Sequence, residues 1–99
     1  MNQGIYSIKN KQTNKQYIGH SSDMEGRRRH HFSSSTNPRL KHDMSLFGKD
    51  CFEFIVLEEV EDPLMLVERE QHYLDMFADN LYNRKEKAKV NWKNKVYKI

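Results

Sequence analysis

The pattern of hydrophobic and polar positions at the amino-terminal end of the chain predicts a β-hairpin. Four branched or aromatic residues flank a polar stretch that contains turn-forming asparagines; they are Ile5, Ile8, Tyr17 and Ile18. Branched and aromatic residues favour strands, whereas asparagine favours turns. We therefore expect strands near residues 3–9 and 16–20.

A helix is predicted to follow the hairpin. Ser22 and Glu25 have the spacing of a capping box, in which both side chains satisfy free backbone amides at a helix start. We expect a helix over about residues 23–32. Arg27 and His31 are four residues apart and therefore lie on the same face of this helix.

A second helix and a third strand come next. Asn37 and Pro38 supply a cap and a proline at the first helical position, where the missing N–H costs nothing. This pair predicts a helix over residues 38–47, ended by Gly48. The aromatic and branched residues of 52–57 predict the strand.

The last predicted helix begins at another cap and proline pair, Asp62 and Pro63, and runs to about Phe77. Its apolar residues recur at roughly helical spacing, which predicts one buried face. That face comprises Leu64, Val67, Leu74 and Phe77.

Length and composition restrict the class of protein. The 99 residues suit a single domain, and 36% hydrophobic residues suffice for a small core. Apolar runs are too short to cross a bilayer, so we expect a soluble protein with no membrane partner. Cys51 is the single cysteine, which fits a reducing cytoplasm, and the histidines lack the paired spacings of zinc sites.

Charge is distributed in three blocks. The formal net charge is +5 for residues 1–50, −8 for residues 51–83 and +6 for residues 84–99. Basic blocks beside an acidic one are typical of a phosphate-binding surface next to carboxylates, as in metal-dependent phosphodiester chemistry. Three ordinary solvated faces would explain the same pattern.

Two triplets on the predicted hairpin, Gly4-Ile5-Tyr6 and Tyr17-Ile18-Gly19, are ten residues apart. Together with Arg27, the Glu68-Arg69-Glu70 segment and Tyr82-Asn83, they make the chain resemble the GIY-YIG nucleases over about residues 3–83. The resemblance implies a compact α/β domain with a three-stranded antiparallel sheet flanked by helices, in the order β-β-α-α-β-α. We expect this domain to span residues 1–83, with residues 84–99 as its basic C-terminal extension.

The resemblance also implies hydrolysis of a DNA phosphodiester bond with one divalent cation, Mg²⁺ or Mn²⁺. Glu70 matches the family's metal ligand, and carboxylate oxygen suits a hard cation. Glu68 is its rival. Because the two residues point about 200° apart on a helix, only one of them can face the site.

Tyr6 and Tyr17 match active-site phenols of the family. Tyr6 is the candidate general base, although a free phenol has a pKa near ~10 and needs help to lose its proton. Arg27 matches the arginine that holds the scissile phosphate, a role suited to a permanently charged planar donor.

Two further residues match supporting positions. His31 is expected to contact phosphate or transfer a proton, and Asn83 is expected to support the site by hydrogen bonds. A second histidine carried by homing-type relatives before the second helix is missing from residues 33–37, with His42 further on.

Four cations are expected to contact the DNA backbone: Arg28, Arg29, Lys15 and Lys41. Trp92 and Tyr97 in the lysine-rich tail would either stack on DNA or close a small core.

The expected function is a metal-dependent endonuclease acting on double-stranded DNA and nicking one strand per domain, as a monomer or transient dimer. Its expected location is the cytoplasm of a bacterial or phage-infected cell. The alternative is a non-catalytic DNA-binding or interaction module of the same fold that assists a partner nuclease.

Overall fold

The computed structural model of the chain describes residues 3–35 and 37–83. Its elements, in chain order, are β1 (Gly4–Asn10), β2 (Gln16–Ser21), α1 (Met24–Ser34), α2 (Pro38–Phe47), β3 (Phe52–Glu59) and α3 (Leu66–Met76). The strands form one antiparallel sheet in the order β2–β1–β3. The predicted fold class and element order are therefore confirmed. The predictions for residues 84–99, including Trp92 and Tyr97, lie outside the described residues.

The central strand β1 contributes to two separate apolar clusters, because successive side chains of a strand point to opposite faces. Tyr6 and Ile8 belong to the cluster that joins the sheet to α1 and α2; its other buried members are Met24, Leu40, Met44, Phe52 and Tyr82. Ile5 belongs to the cluster on the side of α3, with Ile18, Val60, Leu66 and Leu74. The sheet is thus covered by helices on both faces.

The segment after α3 closes the outer edge of β2. The backbone N–H of Gln16 donates to the carbonyl of Asn80 at 3.0 Å, and that of Tyr82 donates to the carbonyl of Gln16 at 2.7 Å. The side-chain amide of Asn83 accepts from the N–H of Ile18 at 2.9 Å and donates to its carbonyl at 2.8 Å. The edge strand of the hairpin is therefore covered rather than left open to another chain.

The cap of α1 differs from the prediction. Asp23, not Ser22, is the N-cap, and its carboxylate accepts from the N–H of Gly26 at 3.1 Å. The hydroxyl of Ser21 accepts from the N–H of Asp23 at 2.8 Å. The capping box predicted from Ser22 and Glu25 is therefore wrong, because Asp23 supplies a charged cap one residue later.

The cap of α2 matches the prediction. Asn37 accepts from the N–H of Leu40 at 2.9 Å, and the helix ends at Gly48, whose φ is 90°. Helices commonly end at a glycine in this left-handed region, where other residues are strained.

The apolar face predicted for the last helix is partly wrong. Leu74 is buried as expected, but Leu64 and Val67 are 87% and 68% exposed, and Leu66 is buried instead. Leu64 lies in a 3₁₀ turn over Pro63–Met65 that precedes α3, so α-helical spacing does not apply to it. Val67 lies inside α3, at the edge of the face that packs against the sheet, and the buried residues of that face are Leu66 and Leu74.

Adjacent positions at the start of α3 allow this correction to be tested. We expect Leu66→Ala to lower the free energy of unfolding by about 2–4 kcal/mol, because it empties a buried site. Val67→Ala should change it by less than about 0.5 kcal/mol, because Val67 is exposed. Urea unfolding followed by circular dichroism measures both, and equal losses would contradict the assigned helix phase.

Candidate active site

Tyr6 is fixed at the centre of the hairpin. It lies opposite Gly19 in the β1–β2 register, and its ring stacks on Phe54 with centroids 5.0 Å apart. A Cβ atom at position 19 would lie 2.5 Å from the phenol oxygen of Tyr6. Glycine at position 19 therefore lets the Tyr6 ring lie across β2.

A hydrogen-bonded chain runs from Tyr6 into α1. The phenol oxygen of Tyr6 lies 3.1 Å from Nε2 of His31, and Nδ1 of His31 lies 3.0 Å from the hydroxyl of Ser35. Burial, and then the neighbouring phenol of Tyr17, raise the pKa of Tyr6, so its O–H stays protonated and donates to Nε2. Nδ1 of His31 then carries the ring proton and donates to Ser35.

Burial, with added repulsion from His30 and Arg27, lowers the pKa of His31 to about 4. His31 is 2% exposed and is therefore neutral near pH 7. Its Nε2 therefore carries no proton and accepts the hydrogen bond from Tyr6.

Glu70 and Arg27 act electrostatically on both predicted active-site phenols. Burial raises the pKa of Tyr17, and the Glu70 carboxylate raises it further, whereas Arg27 opposes the rise. The same two charges act on Tyr6 in the same directions. The structure thus brings Tyr6, Tyr17, His31, Glu70 and Arg27 together around one end of the hairpin.

The phase of α3 decides which glutamate faces this site. Glu70 lies one turn from both Leu66 and Leu74, on the face that packs against the sheet, whereas Glu68 is exposed. One Glu70 oxygen, Oε1, contacts Nδ1 of His20 on β2.

His20 is a site residue that the sequence did not predict. A hydrogen bond to Glu70 raises the pKa of His20 despite partial burial of the imidazole. His20 follows Gly19 directly and shares a strand face with the buried Ile18, but no local pattern in the sequence pairs it with Glu70.

The arginines of α1 differ in their partners. Arg28 and Arg29 both contact the carboxylate of Glu25, at 2.9 and 3.6 Å. Arg27 has no ion-pair partner within residues 3–35 and 37–83 and is exposed. Its guanidinium is therefore the α1 cation with its charge free for an anionic ligand.

Lys15 lies in a cleft of about 340 Å³ between the β1–β2 turn and α2, which neither Tyr6 nor His31 lines. The cleft is lined by Lys15, Pro38, Arg39, His42, Asp43 and Tyr82. Nζ of Lys15 is 5.2 Å from the ring centroid of Tyr82, and Lys41 is exposed on α2. His42 thus lines this cleft, and no hydrogen bond joins it to Tyr6 or His31 in the described part of the chain.

Asn83 supports the site through the backbone. Its side-chain amide hydrogen-bonds to both the backbone N–H and the backbone carbonyl of Ile18, which lies between Tyr17 and Gly19. The side chain therefore fixes the strand that carries these two residues.

Glu70 fits a divalent cation that keeps most of its water. Its side chain is 23% exposed, and its second oxygen, Oε2, has no hydrogen-bond partner among the residues that the structure describes. No group of three or more His, Cys, Asp or Glu residues able to hold a metal occurs in that part of the chain. Mg²⁺ tolerates a site with one or two protein carboxylates, water and phosphate.

The neutral state of His31 has a measurable consequence. A histidine whose pKa falls from 6.5 to about 4 on folding binds its proton more tightly in the unfolded chain, so the free energy of unfolding falls as pH drops through this window. We expect a loss of up to about 2 kcal/mol between pH 7 and pH 5. Urea unfolding at both pH values measures it.

His31→Gln should remove much of this pH dependence, whereas His30→Gln, at an exposed neighbour, should preserve it. A His31 ring that titrates near pH 6.5 by NMR would contradict the assigned burial.

Comparisons with known proteins identify the family of this fold. A family model described as the GIY-YIG catalytic domain matches residues 2–83. None of the curated proteins compared with the chain matches it.

Among the described residues, no helix has the length and hydrophobicity of a membrane span.

Two solved structures resemble the chain. The catalytic domain of the homing endonuclease I-TevI is 30% identical with a TM-score of 0.75, and the match covers 82% of this chain and 96% of that one. A mutant of the catalytic domain of intron endonuclease I-TevI is 31% identical with a TM-score of 0.76, covering 84% and 93%. With the family model matched over most of its length, the chain belongs to the GIY-YIG catalytic domain family.

Proposed function

We propose that the protein is a DNA endonuclease that hydrolyses phosphodiester bonds with Mg²⁺ or Mn²⁺. The observation that carries this proposal is the buried Tyr6–His31 hydrogen bond beside the charges of Glu70 and Arg27. The buried phenol donates to a neutral imidazole next to these two charges, so a proton acceptor lies beside groups that can bind an anion and a cation. Membership of the GIY-YIG family and the similarity to an endonuclease domain support the same conclusion.

In this proposal Tyr6 and His31 remove a proton from the attacking water. The raised pKa of Tyr6 means that phenolate is scarce near pH 7, so Tyr6 can accept a proton only as it passes its own to His31. Nε2 of His31 is the acceptor, because burial keeps it neutral. The water oxygen then bonds to phosphorus as the bond from phosphorus to the leaving oxygen breaks. The leaving oxygen keeps the bonding electron pair and takes a proton from solvent.

Arg27 and Tyr17 hold the phosphate. The Arg27 guanidinium is exposed and free of ion pairs in the described residues, so it can donate two parallel hydrogen bonds to phosphate oxygens. Glu70 would hold the cation through Oε2. A bound Mg²⁺ would supply Lewis-acid stabilisation of the charge that develops on the phosphate.

The proposed substrate is double-stranded DNA, and the proposed location is the cytoplasm of a bacterial or phage-infected cell. We assign backbone contacts to Lys15 and Lys41 and, more weakly, to Arg28 and Arg29, because Glu25 neutralises part of their charge. One copy has one such site and would nick one strand, so a monomer suffices and a double-strand break needs a second visit or a transient dimer. The nuclease domain would span residues 1–83, with residues 84–99 as its basic extension.

Glu70 and Glu68 provide a matched test on one helix. With supercoiled plasmid and Mg²⁺, we expect Glu70→Gln to slow nicking by roughly 10²–10³-fold, because the cation loses its carboxylate ligand. Glu68→Gln removes the same charge from an exposed position and should leave the rate near that of the unaltered protein. Gel electrophoresis of the plasmid forms measures both rates.

Nicked circles should accumulate before linear plasmid appears, and EDTA should abolish both products. If the unaltered protein binds DNA but cleaves no plasmid with any divalent cation, the nuclease proposal fails and the non-catalytic module takes its place.

A further inference from the structure

His20 has no part in the proposed proton transfer or phosphate binding, yet it lies in direct contact with the proposed metal ligand. Its Nδ1 meets Oε1 of Glu70, and the two side chains are 39% and 23% exposed. Partial burial keeps some water away from the two side chains, which strengthens their electrostatic interactions with each other and with a bound cation. The pair therefore lies at the rim of the site, where a phosphate-bound cation can reach it.

We propose that His20 is a second protein ligand of the divalent cation, binding through Nδ1 beside the carboxylate of Glu70. This inference rests on the proposed function. An octahedral ion with bonds of ~2.1 Å places neighbouring ligand atoms ~3 Å apart, which is a hydrogen-bond separation. The two side chains that now contact each other can therefore bind the same ion after a small displacement. Nδ1 releases its proton to solvent when the ion binds.

A nitrogen ligand changes which cation the site prefers. Mg²⁺ is hard and favours oxygen, whereas Mn²⁺ and the later divalent ions of the first transition series accept imidazole readily. A site built from Glu70 alone would treat Mg²⁺ and Mn²⁺ much alike. The combination of His20 and Glu70 should instead favour Mn²⁺, and the preference should depend on His20.

The rival role for His20 is to orient the Glu70 carboxylate by hydrogen bonding, with no bond to the ion. His20→Asn separates these roles, because asparagine can still donate a hydrogen bond to Glu70 but has no imidazole nitrogen. His72→Asn is the matched control. His72 is an exposed histidine of α3, two residues beyond Glu70 and packed edge-on against Tyr73.

The experiment adds Mn²⁺ alone to the 99-residue protein, without DNA. Electron paramagnetic resonance of free Mn²⁺ gives Kd, and electron spin echo modulation reports whether an imidazole nitrogen is bonded to the ion. We expect nitrogen coupling in the unaltered protein and in His72→Asn, and its loss in His20→Asn. His20→Asn should also raise the Kd for Mn²⁺ about tenfold or more.

Mn²⁺ that binds through Glu70 without nitrogen coupling would overturn the proposal and leave His20 as a positioning residue. Binding unaffected by Glu70→Gln, or no binding at all, would also overturn it. Plasmid nicking in Mg²⁺ by the unaltered protein tests the proposed function separately. Nicking without nitrogen coupling would refute the role of His20 alone, whereas absence of both would refute the two proposals together.

Discussion

The ring of Tyr6 occupies the space that any side chain at position 19 would need. Gly19 faces it across the β1–β2 ladder, and Phe54 on β3 stacks against its other face. A close-packed interior leaves such a ring little freedom, so its hydroxyl points in one direction, at His31 on α1. The direction of the Tyr6 hydroxyl, and with it the geometry of the candidate site, depends on this packing arrangement.

Burial and charge divide the site into two zones. Tyr6 and His31 are almost fully buried, and burial stabilises the protonated phenol and the neutral imidazole. Glu70, His20 and Arg27 lie nearer to solvent, where an anionic ligand and its cation can approach. The arrangement places a neutral proton acceptor behind charged groups that can bind phosphate.

Features encoded by neighbouring residues could be predicted from the sequence, and those set by packing could not. The bounds of α2 follow from Asn37 and Gly48, which act locally, and the paired triplets of the hairpin identify the family. The buried face of the last helix was partly mispredicted because Leu64 lies in a 3₁₀ turn before α3, and because packing against the sheet buries Leu66 and leaves Val67 exposed. His20 was not predicted as a site residue, because only its contact with Glu70, fifty residues away in the chain, brings it to the site.

The most direct test of the account is Tyr6→Phe, which keeps the ring over Gly19 and removes only the hydroxyl that donates to His31. Rates of plasmid nicking in Mg²⁺ and urea unfolding should be measured on the same preparation. We expect the rate to fall by roughly 10²–10⁴-fold while the free energy of unfolding changes by only about 1 kcal/mol. Nicking at the rate of the unaltered protein would contradict a proton path through Tyr6.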